Sequence, residues 1–186
     1  MNLLAFDTST ECVSAAVQRG ATRWRYAGAG GPQASATLIP ALLDLLAQAA
    51  LAPASLDAIV FGHGPGSFTG LRTACAVAQG LAFGAALPVL PVDTLLAVAE
   101  DARCKSAMPG AAHVLALLDA RMDEVYAAAY TWIAGAWQSV GGITAGAPEA
   151  LALRATPDGG NGSNGIADRP LLEMGQDWVL AGNIFA

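Results

Sequence analysis

Four glycines punctuate the run Gly62-His63-Gly64-Pro65-Gly66-Ser67-Phe68-Thr69-Gly70-Leu71-Arg72. It lies between an apolar strand predicted at Leu56 to Phe61 and a helix predicted at Thr69 to Phe83, the junction at which α/β proteins place ligands. Backbone N–H groups at a helix N-terminus favour an anion. Neither named phosphate motif is satisfied, however. A Walker A loop ends in Gly-Lys-Ser/Thr, and the dinucleotide fingerprint needs a third glycine where this chain has Ser67 or Thr69. Ser67 suits a helix N-cap better than an acyl acceptor, because no base is paired with it in the pattern. Asp7 closes the first apolar run beside Thr8 and Ser9, where a carboxylate could orient a metal-bound water under a phosphate. The plainer reading, an N–H acceptor in a tight turn, carries more weight. His63 and His113 are the only histidines and have no ligand spacing, so no metal site is expected, although His63 could touch an anion. Asp119, Arg121, Asp123 and Glu124 form a second charged group, with Arg121 expected to pair with Asp119 in a turn or to face a partner.

These residues need a frame to position them. The 186 residues can form one large or two small α/β domains. Strands are predicted at 3–6, 12–18, 22–27, 56–61 and 88–92. Helices are predicted at 36–50, with Ser35 as N-cap, and at 69–83 and 94–103. A link at 104–111 with Pro109-Gly110 divides a first lobe, 1–105, from a second, 106–186, whose strands are predicted at 113–118, 124–132, 136–144 and 178–181. The glycine- and asparagine-rich stretch 158–168 reads as a surface loop.

Composition narrows the function. Hydrophobic residues make up 54% of the chain, but much of this is alanine, which signals tight packing rather than a membrane span. Between Ala74 and Val92 the apolar run is broken by Gly80, Gly84, Pro88 and Pro91. No secretory signal is visible, and a cytoplasmic location is expected. Three widely spaced cysteines, Cys12, Cys75 and Cys104, read as reduced thiols. A net charge of −6 with one lysine argues against direct nucleic-acid binding.

Two helices carry more apolar surface than one sheet face requires. In the first, Leu38, Leu42, Leu45 and Ala49 form one stripe, and Ile39, Leu43, Leu46 and Ala50 the next. In the second, Gly70, Ala74, Ala78 and Ala82 form a ridge of small residues that admits another helix closely. Two readings are open, and the second is preferred. These surfaces meet inside the lobe, or they donate two helices to a four-helix interface with a partner. The second reading nominates Leu38, Leu42, Leu45, Leu46, Gly70, Arg72, Ala74, Ala78 and Ala82.

Asp7-Thr8-Ser9, the run Gly64 to Arg72, Ala78-Gln79-Gly80-Leu81-Ala82 and Asp119 to Tyr126 together resemble the TsaB-like (YeaZ) family across the whole chain. The resemblance implies a two-lobed actin-like ATPase fold of the ribonuclease H-like class. It also implies a role as a non-catalytic, pseudoenzyme subunit in formation of N6-threonylcarbamoyladenosine on tRNA. The expected partners are a TsaD-like transferase and a TsaE-like ATPase, with a homodimer when alone. The metal-binding His-x-x-x-His of the catalytic relatives is absent from the corresponding Gln33 to Ile39, so no metal-dependent transfer is expected. Asp7, Thr8, Ser9, Gly64, Gly66, Ser67 and Thr69 would then be the remnant of a nucleotide site, holding ATP or ADP weakly and no tightly bound cofactor. His63 stands where many such proteins have arginine. The family continues into C-terminal helices beyond Asn183, so a second lobe truncated at its C-terminus is expected. An actin-like ATPase or kinase is the alternative function, and a glycoprotease-like hydrolase ranks third.

Overall fold

Alternating apolar residues in the first thirty positions build three antiparallel strands, β1 (Asn2–Asp7), β2 (Cys12–Arg19) and β3 (Thr22–Ala29). A two-residue turn, Gly20-Ala21, joins β2 to β3, with Gly20 at φ +60°. In the computed structural model, which describes residues 1–106, 112–148, 152–153, 169–170 and 178–183, these are followed by α1 (Ala34–Gln48), β4 (Ala58–Gly62), α2 (Phe68–Ala85) and β5 (Val89–Val92). Both β4 and β5 run parallel to β1, giving a five-stranded sheet in the order β3-β2-β1-β4-β5. The β4-α2-β5 crossover supplies the length that a parallel pairing demands. Pro91 lies on β5 at the sheet edge, where a missing N–H costs least.

Leu4, Phe6, Val13, Val17 and Ile59 form the floor of the first core, and Leu38, Leu42, Leu45, Ala74 and Ala78 close it from above. Here the structure corrects the nominated partner surface. Leu38, Leu42, Leu45 and Leu46 on α1, and Gly70, Ala74, Ala78 and Ala82 on α2, are buried within their own unit. A helix on a sheet turns inward the stripe that packs best. For α1 that stripe is its leucine row. For α2 it is the alanine row, whose small side chains bring the helix close. Arg72 alone of that set is exposed, and its guanidinium lies 3.8 Å from the centroid of the Phe68 ring. The surplus apolar surface lies elsewhere, at Ile39 (45% exposed), Leu43 (52%) and Phe83 (92%).

Smaller differences have local causes. α1 starts at Ala34 after a short 3-10 turn at Gly31–Gln33, so Ser35 sits inside the helix and not at its cap. Ala50 and Ala86 take left-handed conformations just past α1 and α2, a position usually given to glycine.

α3 (Thr94–Lys105) leads to β6 (Ala112–Arg121), β7 (Glu124–Ile133) and β8 (Ala136–Gly146). Two two-residue strands, β9 (Ala152–Leu153) and β10 (Arg169–Pro170), pair with each other, and β11 (Trp178–Gly182) runs parallel to β6. The four-stranded sheet has the order β11-β6-β7-β8. The predicted loop at 158–168 lies outside the described residues, as does most of the predicted link.

The chain divides between Thr94 and Leu95, not near residue 105. The reason lies in the packing of α3, whose Leu95 and Ala99 are buried with Val114, Ala116, Leu118, Ala128 and Tyr130 of the second sheet. Polar contacts reinforce this. Glu100 accepts two bonds from Arg103 at 2.8 and 2.7 Å and one from Trp137 Nε1 at 2.9 Å. The Arg103 guanidinium stacks over Trp132 at 4.2 Å. Hydrogen bonds from Arg103 hold the Glu100 carboxyl down from its ordinary 4.5 to about 2. The bond to Glu100 in turn raises the Cys104 thiol.

Because the folded value lies below the ordinary one, this group stabilises the fold fully above pH 4.5 and stops doing so as pH falls toward 2. Urea unfolding of Glu100→Gln should therefore show a deficit against wild type that is constant above pH 4.5 and shrinks below it.

Candidate functional site

Asp7 ends β1 in a turn of its own making. Its Oδ1 accepts from Ser9 N (2.7 Å) and Ser9 Oγ (2.5 Å), and its Oδ2 accepts from Thr94 Oγ1 (2.9 Å). The tight-turn reading of Asp7 matches this geometry, with one addition that the sequence did not signal, the bond to a residue 87 positions away. Ser9 pairs with a carboxylate, but at 3% exposure its hydroxyl offers no path to a substrate.

The glycine loop is seated on this turn. Ser67 N donates to Ser9 O (2.7 Å), and Thr8 Oγ1 donates to Gly70 O (2.7 Å). Ser67 is the N-cap of α2, as expected, its Oγ accepting from Gly70 N at 3.5 Å. Gly70 is required by contact, since a Cβ there would stand 1.8 Å from Thr8 O. Gly64 and Gly66 lie in the same loop at φ +107° and +156°, around a cis Gly64-Pro65 peptide. Thr69 is exposed one residue into α2. The seven residues nominated as a nucleotide-site remnant are thus brought together. The donors that sequence reasoning aimed at an anion are partly engaged by protein: Ser67 N by Ser9, and Gly70 N by Ser67. The His63 side chain is exposed, while its backbone N–H donates to Val92 O at 3.0 Å.

His113 belongs to the second unit, 3.0 Å from Thr131 Oγ1 and stacked near Trp178. Among the described residues no group of three His, Cys, Asp or Glu side chains is placed to hold a metal ion. Asp119 and Arg121 do form the expected turn: Arg121 N donates to Asp119 Oδ1 (2.8 Å), and the side chains approach to 3.7 Å. Asp119, Asp123, Glu124 and Asn183 edge an open cavity of about 640 Å³ in the second unit.

Away from the loop, sequence reasoning nominated only Arg72 on the exposed face of α2 and missed the rest. Arg72, Ala76, Gln79, Gly80, Phe83 and Gly84 are exposed, and nothing lies within 4 Å of a Cβ built at Gly80 or Gly84. The spacing-four ridge Arg72-Ala76-Gly80-Gly84 was readable as readily as the one two residues away. Only packing told them apart.

Replacing Gly70 with alanine should destabilise the first unit by about 1–3 kcal/mol, the usual cost of forcing extra atoms into a packed site, in chemical denaturation. Unaltered stability would contradict the seating of the loop on Thr8.

Comparison with known proteins accords with this geometry. Residues 32–186 match the family described as TsaD: tRNA N6-adenosine threonylcarbamoyltransferase. The tRNA threonylcarbamoyladenosine biosynthesis protein TsaB of Haemophilus influenzae is 41% identical over 126 residues, 68% of this chain and 52% of that protein. Its counterpart from Escherichia coli K12 is 40% identical over 130 residues, 70% of this chain and 55% of that protein. The chain thus spans about half the length of these curated relatives. The structure of YeaZ from Pseudomonas aeruginosa superposes with a TM-score of 0.80 at 35% identity, covering 97% of this chain and 75% of that one. The two sheets and their helices accordingly have the actin-like, ribonuclease H-like architecture that the sequence led us to expect. On the match over residues 32–186 and the likeness to TsaB and YeaZ, the chain belongs to the TsaD family of tRNA N6-adenosine threonylcarbamoyltransferases, with its similarity lying toward the TsaB (YeaZ) members.

Proposed function

We propose that this protein serves tRNA threonylcarbamoyladenosine formation as a non-catalytic subunit that pairs with a TsaD-type transferase. The observation that carries the reading is the exposure of Ile39 and Leu43 on α1 and of Phe83, Ala76 and Gly80 on α2. Large apolar and small side chains exposed on helices suit the close approach of a partner's helices. The similarity to proteins named for this biosynthesis supports the choice of partner. In this reading the chain forms a homodimer through the same face when the transferase is absent, and a TsaE-type ATPase joins the assembled pair. In this reading tRNA contact falls to another subunit of a cytosolic complex, and the net charge of −6 supports that division of labour. No helix among the described residues is long and apolar enough to cross a membrane.

Leu43→Glu and Gly80→Arg test this surface, since both positions are exposed and tolerate change without disturbing the core. Each should abolish co-purification with the transferase while leaving the circular dichroism spectrum intact, and retained binding in both would overturn the assignment.

The same reading treats the Asp7 turn and glycine loop as a nucleotide site kept in shape but not in use, with ATP or ADP bound weakly. Support comes from the carboxylate oxygens and the Ser67 N–H, which already serve protein partners. Calorimetry with Mg-ATP should register little heat. Tight binding abolished by Asp7→Ala would favour the alternative, an actin-like ATPase or kinase.

A further inference from the structure

β3 is an outer strand of the first sheet: it pairs with β2 on one side, and among the described residues no strand pairs with its other side. Alternate residues of such a strand turn their N–H and C=O groups away from the sheet, where they can take up one more strand. The two faces of β3 differ. Trp24 and Tyr26 are partly buried against the first core, and the Tyr26 ring lies so close over Gly28 that it excludes a Cβ there. Arg23, Arg25, Ala27 and Ala29 are exposed on the other face.

The charge on that face has one sign. Between Cys12 and Leu43 the chain has no aspartate or glutamate, but it has Arg19, Arg23 and Arg25. Arg19 is committed to the end of α1, donating to Ala49 O at 3.0 Å. Arg23 donates from Nε to Gln18 Oε1 at 3.1 Å, which leaves its terminal nitrogens without a partner among the described residues. Arg25 makes no hydrogen bond or ion pair among them. Residues two apart on a strand lie about 7 Å from each other on one face, so the two arginines match the side-chain repeat of any strand laid beside them. Antiparallel pairing with a second copy of β3 would gather like charges on one face, which disfavours that occupant. A strand of opposite charge is favoured for the same reason.

We infer that the free side of β3 receives an extended acidic segment of a partner protein. The backbone of that segment extends the sheet, carboxylates at every second position meet Arg23 and Arg25, and apolar side chains between them lie on the side of Trp24 and Tyr26. This surface shares no residue with the one assigned on α1 and α2, so the two readings stand or fall separately.

Fluorescence anisotropy tests the inference, with the purified chain and a labelled peptide of four Glu-Val repeats, matched to the 8 residues of β3. That peptide should bind about tenfold or more tightly than one of four Lys-Val repeats. In the double variant Arg23→Glu, Arg25→Glu the order should reverse, as expected on inverting two exposed ion pairs. A block peptide, with its glutamates first and its valines after, should bind more weakly than the alternating one, because its charges cannot all face one side of a strand. Bound Glu-Val peptide should also slow hydrogen–deuterium exchange in β3. Equal binding of the block and alternating peptides would reveal charge attraction without strand addition and overturn the inference. So would equal binding of the Glu-Val and Lys-Val peptides to the wild type, an unchanged order in the double variant, or unaltered exchange in β3.

Discussion

A helix can give only one of its faces to a sheet, and in the first unit α2 gives the face made of Gly70, Ala74, Ala78 and Ala82. Side chains this small let the helix axis settle close to the strands, at the cost of apolar contact area that larger residues would have supplied. The leucine stripe of α1 fills the neighbouring volume. Close seating of α2 also draws its N-terminus onto the end of β1, bringing the Gly70 backbone against Thr8. A loop with the outline of a phosphate cradle is thereby packed against its own chain.

The same constraint leaves the opposite stripes outside. Ile39, Leu43 and Phe83 cannot reach the core once the leucine and alanine rows have been chosen, and Ala76 and Gly80 are exposed on the same helix as Phe83. One packing decision thus closes the first unit and defines its outward apolar surface. In the second unit the sheet buries residues on both faces, Val114, Ala116 and Leu118 on one and Leu115, Leu117 and Ala127 on the other. That double burial is why β6 reads as a continuous apolar run. α3 packs on this sheet, with Glu100 bonded to Trp137 and Arg103 stacked over Trp132.

Much of this was legible in the chain. Alternation revealed β2, glycine and proline marked the ends of elements, and Ser67 announced the cap of α2. The Asp7 turn could be guessed because an aspartate bonds to N–H groups two residues on, a local event. Less legible was the orientation of each helix about its axis. Two apolar stripes on α1 and two rows at spacing four on α2 can be read from the sequence, and all the residues nominated for a partner except Arg72 are buried in their own unit. The bond from Thr94 to Asp7 gave no signal, because nothing in a one-dimensional pattern pairs residues so far apart. The boundary at Thr94 was hidden for a related reason: a helix between two lobes belongs to whichever sheet buries its apolar side.

By itself, then, the sequence determined the longer elements, their order, the family motifs and the presence of surplus apolar surface, since these follow from local propensity and periodicity; the two-residue strands β9 and β10 are too short to leave such a signal. Tertiary structure alone decided which stripes face inward, that the glycine loop rests on Thr8 and Ser9, and that Asp7 reaches Thr94. These depend on volume and distance between segments remote in the chain, and are set only when the helices choose their faces against the sheet.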